Sequence, residues 1–228
     1  MPQVPDEDFY ILQGPFEDSP LFSPWLGFGE YGQMLRRVPA SGFPRERLYY
    51  LHELLVQSIR GAPERGEVWE CGVYQGDSAL FLGAVAQSEG AKLRLFDTFS
   101  GMPPTRSDKD FHSAGDFAAT SLDFVRNRLD AIAGLDVVFH PGFVPATFAG
   151  LDTARIAFAH IDLDIFESIR TALDYIFPKL LIGGAVVFDD YGWKSCPGAR
   201  EAVDRYFARR RERVIVLQTG QAFVVKLG

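Results

Sequence analysis

The sequence predicts a single α/β domain of Rossmann-like type: a mostly parallel seven-stranded sheet with one antiparallel strand and helices on both faces. Three observations predict it. Short apolar runs alternate with helical patterns along most of the chain. The run around Val68-Trp69 leads into a glycine turn that opens a helix. Two closing strands, Arg213–Leu217 and Ala222–Lys226, follow each other closely enough to pair as a hairpin, which makes one strand antiparallel.

A chain of 228 residues has room for a full core, and 47% hydrophobic with 23% charged residues describes a globular protein. The formal net charge of −7 argues against a nucleic-acid partner, which needs clustered Lys and Arg. The basic run from Arg205 to Arg213 reads as a solvated helix end. Two cysteines, Cys71 and Cys196, make no disulfide framework, and Cys71 reads as a buried thiol. No apolar run approaches the ~20 residues of a membrane span and the N-terminus is acidic, so the expectation is a cytoplasmic protein with no membrane partner.

Residues 1–44 are rich in Pro, Gly and aromatics, among them Phe9, Tyr10, Phe16, Phe22, Trp25, Phe28 and Tyr31. Too apolar for a free tail, they are expected to form a lid or packing segment on the core or on another subunit, hence a homo-oligomer, dimer or higher. The main domain is expected over 45–228. It opens with an amphipathic helix over 45–60, with Leu48, Leu51, Leu54, Leu55 and Ile59 on one face.

In Glu70-Cys71-Gly72-Val73-Tyr74-Gln75-Gly76, Tyr74 stands where a dinucleotide fingerprint needs its second glycine. A bulky residue there keeps the backbone off a pyrophosphate, and the acid at the strand end offers an acceptor to a cationic amine. That combination suits S-adenosylmethionine better than NAD and counts against a nucleotide-dependent oxidoreductase. The next strand, Lys92–Phe96, ends in Asp97, placed to hold a ribose diol or to cap its own loop. A long polar stretch runs to about residue 116. A helix is expected over 117–133 with Gly134 ending it, then a strand over 136–140 and a short helix or turn over 143–148.

The continuous apolar strand Ile156–Ile161 runs into Asp162. A helix over 166–180, ended by Gly183-Gly184, leads to the strand Ala185–Phe188 and then Asp189-Asp190; a last helix is expected over 198–211. Parallel strands point their C-terminal ends at one crevice, so Asp162, Asp189 and Asp190 are expected to converge there with Glu70 and Asp97. Three crowded carboxylates call for a hard divalent cation, Mg²⁺ or another, which would orient and acidify a bound hydroxyl. Of the histidines, His160 reads as a core or supporting imidazole. His112 is a substrate contact or solvated, His140 an adenine-edge contact or a plain strand end, and His52 structural. Hydrolase, zincin and Walker motifs are missing.

These stretches together resemble the macrocin O-methyltransferase family (TylF/MycF-like), which includes a novobiocin sugar 4-O-methyltransferase. The carrying motifs are Glu70–Gly76, Phe96-Asp97-Thr98-Phe99-Ser100-Gly101-Met102-Pro103, Gly115-Asp116-Phe117, His160–Ser168, Phe177-Pro178-Lys179-Leu180 and Asp189-Asp190-Tyr191-Gly192. The resemblance implies a class I methyltransferase fold, S-adenosylmethionine, Mg²⁺ and methylation of a hydroxyl, with a sugar vicinal diol on a natural-product glycoside as acceptor; a phenolic diol or other polyol is the alternative. It implies Asp162, Asp189 and Asp190 as metal ligands, with Asp162 also the general base. On this reading Glu70, Gly72, Tyr74 and Ser78 hold the methionine end of the cofactor, with Val73 and Gly76 as further cofactor-binding residues. Asp97 holds the ribose and Asp116 with Gly142 and Phe143 the adenine edge; Thr98, Phe99, Phe117 and Asp162 are further cofactor-binding residues. Two departures from the family pattern are Phe166 for a usual Tyr and Ile165 for a usual Leu. The catechol methyltransferases have a lysine just after their first metal aspartate; Leu163-Asp164-Ile165 offers none here, and Lys194 is the nearest substitute.

Overall fold

The computed structural model describes residues 12–13, 20–21, 29–38, 42–105 and 108–228. Of the aromatic N-terminal set only Tyr31 falls within these; the others lie outside the described residues. β1 (Leu12–Gln13) and β2 (Pro20–Leu21) pair antiparallel.

The main sheet has seven strands: β3 (Glu67–Cys71), β4 (Leu93–Asp97), β5 (Val137–Pro141), β6 (Ile156–Ile161), β7 (Leu180–Phe188), β8 (Ile215–Val216) and β9 (Ala222–Val225). Their spatial order is β5-β4-β3-β6-β7-β9-β8. The pairings from β5 through β7 are parallel, whereas β9 runs antiparallel to both β7 and β8. The strand order therefore reverses between β3 and β6, where Glu70 lies opposite His160 and Cys71 opposite Ile161. Such a reversal opens a crevice at the carboxyl ends of the strands.

Period-two alternation divides the core into two layers. On one face Val68, Phe158 and Val187 pack under α1 (Gly29–Arg37), α2 (Arg45–Gly61), α3 (Asp77–Ser88) and α4 (Leu122–Leu129). On the other, Trp69, Ala159 and Val186 pack under α5 (Phe166–Lys179) and α6 (Pro197–Phe207). Tyr31 anchors α1, its ring edge-on to Phe81 and its hydroxyl donating to the Arg45 carbonyl.

The structure corrects three element boundaries. The helix expected over 117–133 is confined to α4, because Phe117 takes a left-handed conformation and Ser121 caps the helix by accepting from Phe124 N at 3.2 Å. Gly183-Gly184 do not end α5: β7 begins directly at Leu180 and takes both glycines into the strand, where Gly183 N donates to the Lys226 carbonyl. The last helix stops at Phe207 rather than 211, so of the basic run only Arg205 is helical; its arginines are exposed, and Arg210 lies over the Tyr206 ring at 4.1 Å. No helix among the described residues is long and apolar enough to cross a membrane.

Candidate active site

The site begins where β3 ends. Gly72, Tyr74 and Gly76 all have positive φ, so the chain turns tightly before α3. Gly72 has a further constraint: a Cβ there would lie 1.6 Å from the carbonyl oxygen of Asp162. The glycine turn and the loop after β6 are therefore in backbone contact, and Asp162 N donates to the Cys71 carbonyl at 2.8 Å. Asp97 fastens the same turn to the next strand. Its Oδ2 accepts from Val73 N (2.6 Å) and Tyr74 N (3.0 Å), and its Oδ1 from Phe99 N (2.6 Å). The loop-capping alternative is thus the geometry present.

Beneath the turn lies a buried polar chain. His160, fully buried, places Nδ1 3.0 Å from Glu70 Oε1 and Nε2 3.3 Å from Asp189 Oδ1. Gln221 Nε2 donates to the same Asp189 oxygen at 2.8 Å. The other Glu70 oxygen is buried with no hydrogen-bond partner among the described residues. Asp189 Oδ2 is held by the Arg47 guanidinium, which also donates to the Asp189 carbonyl at 3.0 Å. Arg47 is wedged between the rings of Phe43 and Trp193, 4.9 and 5.3 Å from their centres.

Around Asp162 the acids gather into two overlapping trios rather than the expected one. Asp162, Asp164 and Asp190 bring carboxylate oxygens within 4.8 Å of one another, and so do His160, Asp162 and Asp189 with their ligand atoms. Asp164, unforeseen, belongs to the first trio; its N–H donates to Asp190 Oδ2 at 2.8 Å. Burial, then the charges of Asp190 and Asp164, push the Asp162 carboxyl well above the usual carboxylate range. Burial and then Asp190 raise Asp164 to about 8. Burial raises Asp190 too, against the opposing Asp164 N–H and Arg47. Carboxyls that crowd until they favour protons are a donor set that a hard cation would relieve, and an all-oxygen trio fits Mg²⁺.

Asp162, Asp164, Asp189 and Asp190, with Arg47, line a cavity of about 470 Å³, and the Glu70–His160 pair lies buried behind them. Of the residues expected to hold cofactor, Gly72, Val73, Tyr74, Asp97 and Thr98 line it on one side. Phe117, Gly142, Phe143 and Asp162 also line it, as do Asp189 and Asp190. Glu70, Gly76, Ser78, Phe99 and Asp116 do not. Glu70 and Ser78 are buried, Gly76 caps α3, Phe99 packs in the core, and Asp116 accepts from Ser113 N. His112 lines the cavity, whereas His140 stacks on Phe96 (4.5 Å) and His52 packs against Tyr31. Lys194 is not on the cavity wall; among the described residues the Lys or Arg there is Arg47. Arg47, Phe43, Trp193 and Cys196 were not foreseen. Only Asp164 carried a signal, as an acid two positions after Asp162.

Residues 35–217 match the family model described as macrocin-O-methyltransferase (TylF). Over 166 residues the chain is 34% identical to the 8-demethyl-8-(2,3-dimethoxy-alpha-L-rhamnosyl)-tetracenomycin-C 4'-O-methyltransferase of Streptomyces olivaceus, covering 68% of this chain and 62% of that protein. It is 28% identical to the demethyldecarbamoylnovobiocin O-methyltransferase of Streptomyces niveus, covering 68% of this chain and 63% of that one. The matched stretch thus spans less than two thirds of either relative. The solved O-methyltransferase NovP has a TM-score of 0.69 and 23% identity over 80% of each chain, a likeness of fold.

Proposed function

The chain belongs to the macrocin-O-methyltransferase (TylF) family, and from that premise we propose that it transfers a methyl group from S-adenosylmethionine to a hydroxyl of a glycosylated small molecule, with a sugar vicinal diol as the acceptor group. The observation that carries the reading is the acid trio Asp162, Asp164 and Asp190 on the floor of the cavity that the glycine turn also lines.

In this reading Gly72, Val73 and Tyr74 border the sulfonium end of the donor, with Asp97 and Thr98 along its ribose. Phe117, Gly142 and Phe143 flank the adenine. Asp162, Asp164 and Asp190 would hold Mg²⁺ or a similar cation, which supplies the positive charge that makes a neighbouring hydroxyl acidic. Asp162 is the general base: its loop touches the glycine turn, so a carboxylate oxygen can take the hydroxyl proton beside the donor. Asp189 is a supporting group, with its oxygens turned to Arg47, His160 and Gln221. The Phe43 and Trp193 rings border the acceptor side and favour apolar sugar faces over bulk water. The segment 1–44 would serve as lid or packing element.

The test has two arms. Calorimetric titration with S-adenosylhomocysteine should show binding, and transfer of labelled methyl to a panel of deoxysugar-bearing natural products should require a divalent cation. Asp190→Asn should remove metal-dependent turnover by about 10²-fold or more while leaving cofactor affinity near normal. A protein that binds no S-adenosylhomocysteine ends the reading.

A further inference from the structure

Beside the acid trio, on the same cavity wall, a second group of potential ligands has a different chemistry. Cys196 Sγ lies 3.6 Å from His112 Nε2 and 3.4 Å from Asp164 Oδ1, and those nitrogen and oxygen atoms are 3.7 Å apart. The three side chains come from separate places: the polar loop before α4, the loop after β6, and the residue that precedes α6. A tetrahedral zinc ion with Zn–S of about 2.3 Å and Zn–N and Zn–O of about 2.0–2.1 Å places its ligands about 3.3–3.6 Å apart. The triangle in the protein already has nearly those edges.

Three further features prepare the group for a cation. His112 Nδ1 faces Asp116 Oδ2 at 3.4 Å, so the Nδ1–H can donate to that carboxylate and leave the Nε2 lone pair turned to Cys196 and Asp164. A carboxylate behind the far nitrogen is how a ligating imidazole is held in its tautomer. Asp116 is in turn fixed by Ser113 N at 2.9 Å. Asp164 takes a left-handed φ of 57°, unusual for a residue other than glycine, and this backbone lets its N–H reach Asp190 while its carboxylate reaches Cys196. Finally, His112, Asp164 and Cys196 all border the cavity, so a fourth position opens onto ligand space.

We propose that His112, Asp164 and Cys196 form a three-ligand site for a thiophilic divalent cation such as Zn²⁺, separate from the hard-oxygen trio and joined to it through Asp164. Sulfur and imidazole select a softer ion than three carboxylates do. Binding displaces the Cys196 thiol proton to solvent and forms the metal–thiolate bond. Because Asp164 has one carboxylate to give, an ion in this site draws it away from Asp162 and Asp190. The site does not depend on the methyl-transfer reading, and its test needs no turnover.

The probe is Co²⁺ added to chelator-treated full-length protein. The expected result is a near-ultraviolet thiolate-to-cobalt absorption with visible bands of tetrahedral intensity, saturating at one equivalent and abolished by one equivalent of Zn²⁺. Cys196→Ser should abolish the thiolate band, and Cys71→Ala should keep it, since Cys71 is buried in the sheet. His112→Gln should weaken Co²⁺ binding at least tenfold, and Asp116→Asn about tenfold, as for groups that orient a ligating imidazole. Circular dichroism identifies any variant that has lost its fold, and His112→Gln then stands in for Cys196→Ser. A folded wild-type protein without the thiolate band, or a band that survives Cys196→Ser, overturns the proposal.

Discussion

Arg47 holds Asp189 at two points, its guanidinium meeting both the carboxylate and the backbone carbonyl of a residue at the far end of β7. The pair is almost wholly removed from water, and helix α2 thereby reaches over the sheet to close one wall of the cavity. A buried carboxylate that loses its cation is costly. Arg47→Met should therefore destabilise the fold by about 3 kcal/mol in chemical denaturation. Combining it with Asp189→Asn should recover a large part of that loss, as a coupled pair requires. A single variant within about 0.5 kcal/mol of wild type would show that the pair contributes little.

The raised carboxyls predict how stability responds to pH. Asp164, at about 8, and Asp162 and Asp190, also raised, hold their protons more tightly in the folded protein than the unfolded chain does near 3.9. The folded state therefore binds more protons than the unfolded state across that window, and the metal-free protein loses stability as pH climbs from about 4 toward 8. A divalent cation should offset the loss, so Mg²⁺ should raise the melting temperature more at pH 8 than at pH 5.5. Equal shifts at both pH values would separate the cation from these acids.

Gly72 predicts a steric outcome. Alanine there must adopt a φ of 87° and place its methyl on the Asp162 carbonyl. Gly72→Ala should cost about 2–4 kcal/mol of stability from strain and overpacking together. It should also lower S-adenosylhomocysteine affinity, because the loop that must retreat lines the cavity. A well-folded variant with unchanged affinity in calorimetry would contradict this account of the turn.

Much of the scaffold could be read directly from the residues, because burial on both faces leaves an unbroken apolar run such as Ile156–Ile161, and parallel strands deliver Asp162 and Asp190 to one crevice. Asp189 and Asp190, adjacent in sequence, part company for a reason that strand geometry supplies: successive side chains leave a strand end in opposite directions, one toward His160 and Arg47, the other toward Asp164. Arg47 was hidden because a basic residue in the first turn of an amphipathic helix looks like any solvated one. Cys196 and His112 were hidden because 84 positions separate them and their meeting depends on loop paths that no local pattern encodes. Gly183-Gly184 misled because glycines after a helix suggest its end, whereas Gly184 is needed where a Cβ would come within 2.5 Å of the Ala157 carbonyl.

The insertion of β9 between β7 and β8 ties the edge of the sheet to the acids beneath the cavity. Among the described residues β8 pairs with β9 alone, so its place in the main sheet depends on β9 holding to β7. Gln221 immediately precedes β9 and supplies the amide that Asp189 accepts, so that buried carboxylate loses one of its protein donors whenever the hairpin opens. The carboxylate network beneath the cavity is thereby coupled to the pairing of the two closing strands. Amide exchange at Phe223 and Val224 should slow only in molecules whose pocket is complete.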